Sequence, residues 1–126
     1  MNGLHILAEF HDCQGSRRLL LEADALAALC RRACVEAGLE VVAAAFHQFS
    51  SAGATGALVL AESHLAVHTW PELDAVTLDL YVCNHSQDNR AAAEAAYETL
   101  RRDLRPARVV RRDVARGDID TLAKPA

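Results

Sequence analysis

Apolar positions recur along this chain with two different periods, and the changes of period mark out its elements. Leu4 to Phe10 is a short apolar-rich strand, ended by the polar cluster Asp12 to Ser16. Leu26, Leu29, Ala33 and Ala37 then fall at helical spacing, with Asp24 as the expected cap and Gly38 as the stop. Leu39 to Phe49, rich in Val, Ala and Phe, reads as a second strand, and Ser50 to Gly56 as a turn. Ala57 to Ala61 and Leu65 to Thr69 are two further short strands. Across Ala75 to Val82 the apolar set Val76, Leu78, Leu80 and Val82 alternates with Thr77, Asp79 and Tyr81, the period of a sheet covered on one side. A second helix runs from about Asn89 to Leu104 on the stripe Ala92, Ala96, Leu100 and Leu104, with Pro106 ending it and Ala107 to Val114 as the last strand. This order predicts an α+β fold: a two-layer α/β sandwich with an antiparallel sheet and two helices packed on one face.

No linker, repeat or low-complexity stretch interrupts the pattern, so residues 1–126 are expected to form a single domain. A chain of this size buries roughly two thirds of its unfolded surface, enough for a core but little for a deep private cleft. A site shared across a subunit interface would solve that problem. The 52% hydrophobic and 24% charged content is that of an ordinary soluble domain. With a net charge of -4 and basic pairs at Arg17-Arg18, Arg31-Arg32, Arg101-Arg102 and Arg111-Arg112 that lack interleaved aromatics, no nucleic-acid partner is expected. No apolar stretch approaches the roughly 20 residues of a membrane span, and the N-terminal segment lacks a secretory pattern, so a cytoplasmic location is expected. Cys13, Cys30, Cys34 and Cys83 show no zinc-ribbon spacing; Cys30 and Cys34 share a helix face as small core residues.

The candidate chemistry lies in the run Ala61-Glu62-Ser63-His64-Leu65-Ala66-Val67-His68-Thr69-Trp70-Pro71-Glu72. A serine that follows an acid and precedes two histidines, a tryptophan and a proline is an unusual neighbour for an apolar strand. The Gly-x-Ser-x-Gly elbow of serine hydrolases is missing. His64 and His68 with Glu62 or Glu72 fall short of a convincing metal set, so no metal is expected. A serine hydroxyl can attack the carbonyl before it, here that of Glu62, if a base takes its proton and donors hold the oxyanion. The run resembles the self-cleavage segment of the prokaryotic S-adenosylmethionine decarboxylase proenzymes, a small pyruvoyl-dependent class.

That resemblance implies self-cleavage between Glu62 and Ser63 into fragments 1–62 and 63–126, with Ser63 becoming a pyruvoyl group that forms a Schiff base with the substrate amine. It assigns His68 as the processing base and Cys83, in Tyr81-Val82-Cys83-Asn84, as the proton donor. Thr55-Gly56 matches a serine-glycine pair whose hydroxyl supports processing. Phe49 and Glu72 match positions that flank the adenine ring of the substrate. The resemblance implies a lyase, a carboxy-lyase that supplies the aminopropyl donor for spermidine biosynthesis and works as a homodimer with its active sites at the interface. Because side chains alternate along a strand, Ser63 and His68 on one straight strand would face opposite ways. A bend at the cleavage point or a second subunit would be needed to bring them together.

The resemblance covers most of the chain, from Leu7-Ala8-Glu9-Phe10 and Cys13 through Phe46-His47 to Arg116-Gly117. Departures fall around the machinery: Leu4 where an arginine is usual, Gln48 where a basic residue is common, Ser50-Ser51-Ala52 in place of a proline-containing loop, Thr55 for serine, and Asn84-His85 where a glycine follows the cysteine. These leave open the alternatives of a pyruvoyl-dependent ornithine or arginine decarboxylase and of an unprocessed, non-enzymatic dimeric homologue. Trp70 reads as either a ligand cover or a sheet-edge packing residue, and His5, His11 and His47 as structural or surface histidines.

Overall fold

A computed structural model describes residues 3–84 and 87–117 together with residue 122; His85 lies outside the described residues. The elements are β1 (Gly3–Cys13), α1 (Arg18–Leu21), α2 (Ala23–Glu36), β2 (Val41–Gln48), β3 (Ala54–Leu60), β4 (Ser63–Trp70), a 3-10 turn (Pro71–Leu73), β5 (Ala75–Val82), α3 (Arg90–Leu104) and β6 (Pro106–Arg116). The strands form one six-stranded sheet in the order β2-β3-β4-β5-β1-β6, with every neighbouring pair antiparallel. The expected two-layer α+β sandwich is the fold observed.

Strand alternation decides which face the helices cover. On β4 the odd positions Leu65, Val67 and Thr69 are buried, and on β5 the even positions Val76, Leu78, Leu80 and Val82. Helix α2 lays Leu26, Leu29, Cys30, Ala33 and Cys34 over β2 and β3, and α3 lays Ala96, Tyr97, Leu100 and Leu104 over β5 and β1. Phe10, Ile6, Leu65 and Leu80 are fully buried in this seam. Each such side chain contributes about 1.5–3 kcal/mol of hydrophobic stabilisation. Among the described residues, the opposite face of the sheet has no second layer.

Several boundaries differ from the sequence pattern for identifiable reasons. The cap of α2 is Glu22, extended at φ -117°, ψ 124°, with no side-chain hydrogen bond; Asp24 lies in the first turn instead of capping. A short helix, α1, occupies the preceding residues, and at four residues it is too brief to leave a periodic signal. Strand β3 starts at Ala54 because Thr55 and Gly56 are already paired with β4, which leaves only 49–53 as the turn. Gly38, at φ +89°, ends α2 as its sequence position suggests.

Candidate active site

Strand β4 carries the unusual run and places its two ends far apart. Ser63 opens the strand, pairing with Leu60 across a two-residue loop, and His68 lies near the other end, opposite Thr55. The strand is unbroken from Ser63 to Trp70, so Ser63 points with the helix-side set while His64, Ala66, His68 and Trp70 point to the open face. At about 3.3 Å per residue the two residues stand about 16 Å apart along the strand. Within one chain the structure does not bring Ser63 and His68 together.

Two candidate half-sites result. At the first, continuing the β4/β5 register from His64↔Tyr81 sets Ser63 level with Val82 and Glu62 level with Cys83. The half-buried Ser63 lines a small cavity of about 160 Å³ with Glu40, Glu62, Gln87 and Asn89. Asn89 fixes the neighbourhood of Cys83: its Nδ2 donates to the Cys83 carbonyl at 2.8 Å, and its backbone N–H donates to Asn84 Oδ1 at 2.8 Å. Asn84, where a glycine was the usual residue, thereby ties the cysteine loop to the start of α3.

The second half-site lies at the opposite end of the sheet. Thr55 Oγ1 and His68 Nδ1 are 3.0 Å apart. When Nδ1–H donates to that hydroxyl, Nε2 presents a lone pair for proton transfer. A groove of about 360 Å³ on the open face runs past His68, bordered by Glu9, Thr77, Asp79, Val110 and Arg112. Phe49, 43% exposed, follows β2 at this end with its ring edge-on to His47 at 4.9 Å. Glu72 is exposed on the 3-10 turn, which Arg17 grips through the Pro71 carbonyl at 3.0 Å and through Asp74. Trp70 is 43% exposed and donates from Nε1 to Thr77 Oγ1 at 3.2 Å.

Several supporting residues went unrecognised in the sequence. Gln48 accepts from the Ala23 N–H at 2.5 Å and donates to the carbonyls of Leu21 at 2.9 Å and Gly53 at 3.0 Å. A basic side chain could not accept the Ala23 bond, so this carboxamide ties α1, α2 and the 49–53 turn together in its own way. On the open face His5 and His64 both approach Asp79 Oδ2 through Nε2, at 2.9 and 2.8 Å. Burial would raise the Asp79 carboxyl, but the hydrogen bonds from His5 and His64 hold it below its usual range. The three ligand atoms lie within 4.8 Å of one another, a spacing that a cation could use. Arg116 Nη1, a donor only, stands 3.4 Å from His5 Nδ1, which favours the tautomer whose Nε2–H already serves Asp79. No sequence spacing joins these three, because each comes from a different strand.

Cys30 and Cys34 are buried as core residues, as expected, and burial pushes their thiols up to about 12 and about 11. Among the described residues no helix is long and apolar enough to cross a membrane.

The chain has relatives among known proteins. A family model described as S-adenosylmethionine decarboxylase matches residues 4–117. The chain is 36% identical over 117 residues to the S-adenosylmethionine decarboxylase proenzyme of Thermoplasma volcanium, covering 93% of this chain and 85% of that one. It is 33% identical over 123 residues to that of Thermotoga maritima, covering 98% and 90%. The crystal structure of the adenosylmethionine decarboxylase from Aquifex aeolicus superposes with a TM-score of 0.83 at 30% identity, over 93% of this chain and 92% of that one.

Proposed function

The chain belongs to the S-adenosylmethionine decarboxylase family, and we propose that it is a self-processing carboxy-lyase that decarboxylates S-adenosyl-L-methionine to the aminopropyl donor of spermidine biosynthesis. The matches carry this substrate, and the ornithine or arginine alternative has no observation of its own in its favour. In this reading the chain cleaves between Glu62 and Ser63, leaving fragments 1–62 and 63–126.

The observation that carries the mechanism is the division of the site between the two ends of β4. In a homodimer packed so that the His68 end of one strand β4 meets the Ser63 end of the other, the Thr55–His68 pair of each protomer serves the Glu62–Ser63 bond and Cys83 of its partner. His68 Nε2 then takes the Ser63 hydroxyl proton, with Thr55 fixing the ring through Nδ1. The groove along His68 leaves room for substrate, and exposed Phe49 and Glu72 stand at the same end, where the aromatic ring and the carboxylate suit a purine and its amine.

The surroundings of Ser63 fit a pyruvoyl group: the residue opens a strand immediately after a turn, so a free chain end there disrupts no interior pairing. Once formed, that group supplies a carbonyl electron sink for decarboxylation. In this reading Cys83, whose backbone carbonyl Asn89 holds just past the end of β5, returns a proton to the substrate carbon.

Mass spectrometry of the purified protein tests this reading. Two fragments split before Ser63, the C-terminal one with the mass of a pyruvoyl end, together with carbon dioxide release from S-adenosylmethionine but not from ornithine or arginine, are expected. A stable intact wild-type chain would overturn it. Ser63→Ala should stay folded, whole and inactive.

A further inference from the structure

The residue on the acyl side of the proposed cleavage point holds an unusual backbone. Among the described residues, four non-glycine positions have positive φ. Asp12, Asp74 and Arg105, at 52°, 52° and 49°, sit in the left-handed helical region. Glu62 lies well beyond it, at 92°.

Glu62 and Ala61 form the two-residue loop between Leu60 and Ser63. Positive φ at the second loop residue alone is the pattern of a type II turn, whose second central position is normally glycine or asparagine. It is also a turn whose twist fits a two-residue hairpin poorly. Glu62 is neither glycine nor asparagine. The loop cannot relax, because the ladder behind it is paired without a gap from Leu60↔Ser63 to Thr55↔His68.

We propose that this left-handed turn at Glu62 primes the Glu62–Ser63 bond for cleavage, making Glu62 a positioning residue through its backbone rather than its carboxylate. The inference rests on the proposed processing at Ser63. In the acyl shift a bond forms from Ser63 Oγ to the Glu62 carbonyl carbon, the C–N bond breaks, and the hydroxyl proton ends on the freed Ser63 nitrogen. The ester link then runs through Oγ and Cβ, one atom longer than the amide link it replaces. That slack lets Glu62 return to negative φ. Strain stored in the intact turn thus favours the ester, and cleavage makes its release permanent.

The test compares Glu62→Gly with Glu62→Ala, which both lack the carboxylate but differ in tolerance of positive φ. Fragment appearance after expression, followed by mass spectrometry, should be about five- to tenfold slower for Gly than for Ala, with Glu62→Asn between them. Equal rates for Gly and Ala would overturn the proposal. In the Ser63→Ala background, which cannot cleave, the Gly variant should unfold at a urea concentration no lower than the Ala variant. A lower midpoint for Gly would show an unstrained turn and would equally sink the idea. Failure of the underlying reading looks different: the wild-type chain itself would not split before Ser63.

Discussion

Placing His68 in one protomer and Ser63 in the other predicts a specific result when two crippled chains are expressed together. Within a chain the two residues are about 16 Å apart along β4 and face opposite sides of the sheet, whereas proton transfer needs heavy atoms within about 3 Å. Consider co-expression of a His68→Ala chain with a Cys83→Ala chain in equal amounts. If association is random, about half of the dimers are mixed. In a mixed dimer the His68→Ala chain keeps its own Ser63 and Cys83 and faces an intact His68. About half of the His68→Ala chains should therefore be cleaved, and decarboxylation should recover to about a quarter of the wild-type level, since half the dimers carry one complete site each. Expressed alone, neither chain should show turnover. The assay is intact-mass analysis, which separates the two chains by their substitutions, together with carbon dioxide release from the same preparation. If the His68→Ala chain stays whole in the mixture, the base acts within its own chain, and the two-protomer site is refuted.

Other expectations follow from single contacts. Thr55→Val removes the hydroxyl from His68 Nδ1 and should slow fragment formation about fivefold, on the scale of one hydrogen bond, while Thr55→Ser restores it. Alkylation of the unprocessed Ser63→Ala protein at pH 8 should mark Cys83 before the other thiols on peptide mapping, because burial holds Cys13, Cys30 and Cys34 at about 11, 12 and 11; early labelling of Cys30 would contradict the packing of α2. The folded Asp79 carboxyl is held low, so the unfolded chain binds that proton more readily, and the stability it contributes is present above about pH 4 and lost as the pH falls below it. The gap in urea stability between wild type and Asp79→Asn should therefore be present at pH 5 and close in more acid solution. Gly56→Ala would drive a methyl group into the Phe46 ring and should cost about 1–3 kcal/mol in a urea titration.

Much of this protein was legible in one dimension. The alternation of Val76, Leu78, Leu80 and Val82 and the helical spacing of Leu26, Leu29 and Ala33 report a sheet covered on one side and a helix that covers it, because those periods are local properties of the backbone. The run from Glu62 to Glu72 was equally readable, since its chemistry is written in consecutive residues. Even the difficulty of joining Ser63 to His68 followed from parity along a strand.

What sequence could not supply were relations between strands. His5, His64 and Asp79 meet on three different strands, Thr55 reaches His68 through pairing of β3 with β4, and Gln48 ties together two helices and a turn. Each depends on sheet order and register, which the tertiary fold chooses by burying the helix-side residues, and no spacing along the chain encodes them. The left-handed backbone at Glu62 belongs to the same class: a glutamate has no preference for it, and only the closed ladder of β3 and β4 imposes it. Residue identities therefore determined which chemistry the chain contains. The folded sheet decided how that chemistry is divided, setting the serine and cysteine at one end of the sheet and the histidine and threonine at the other.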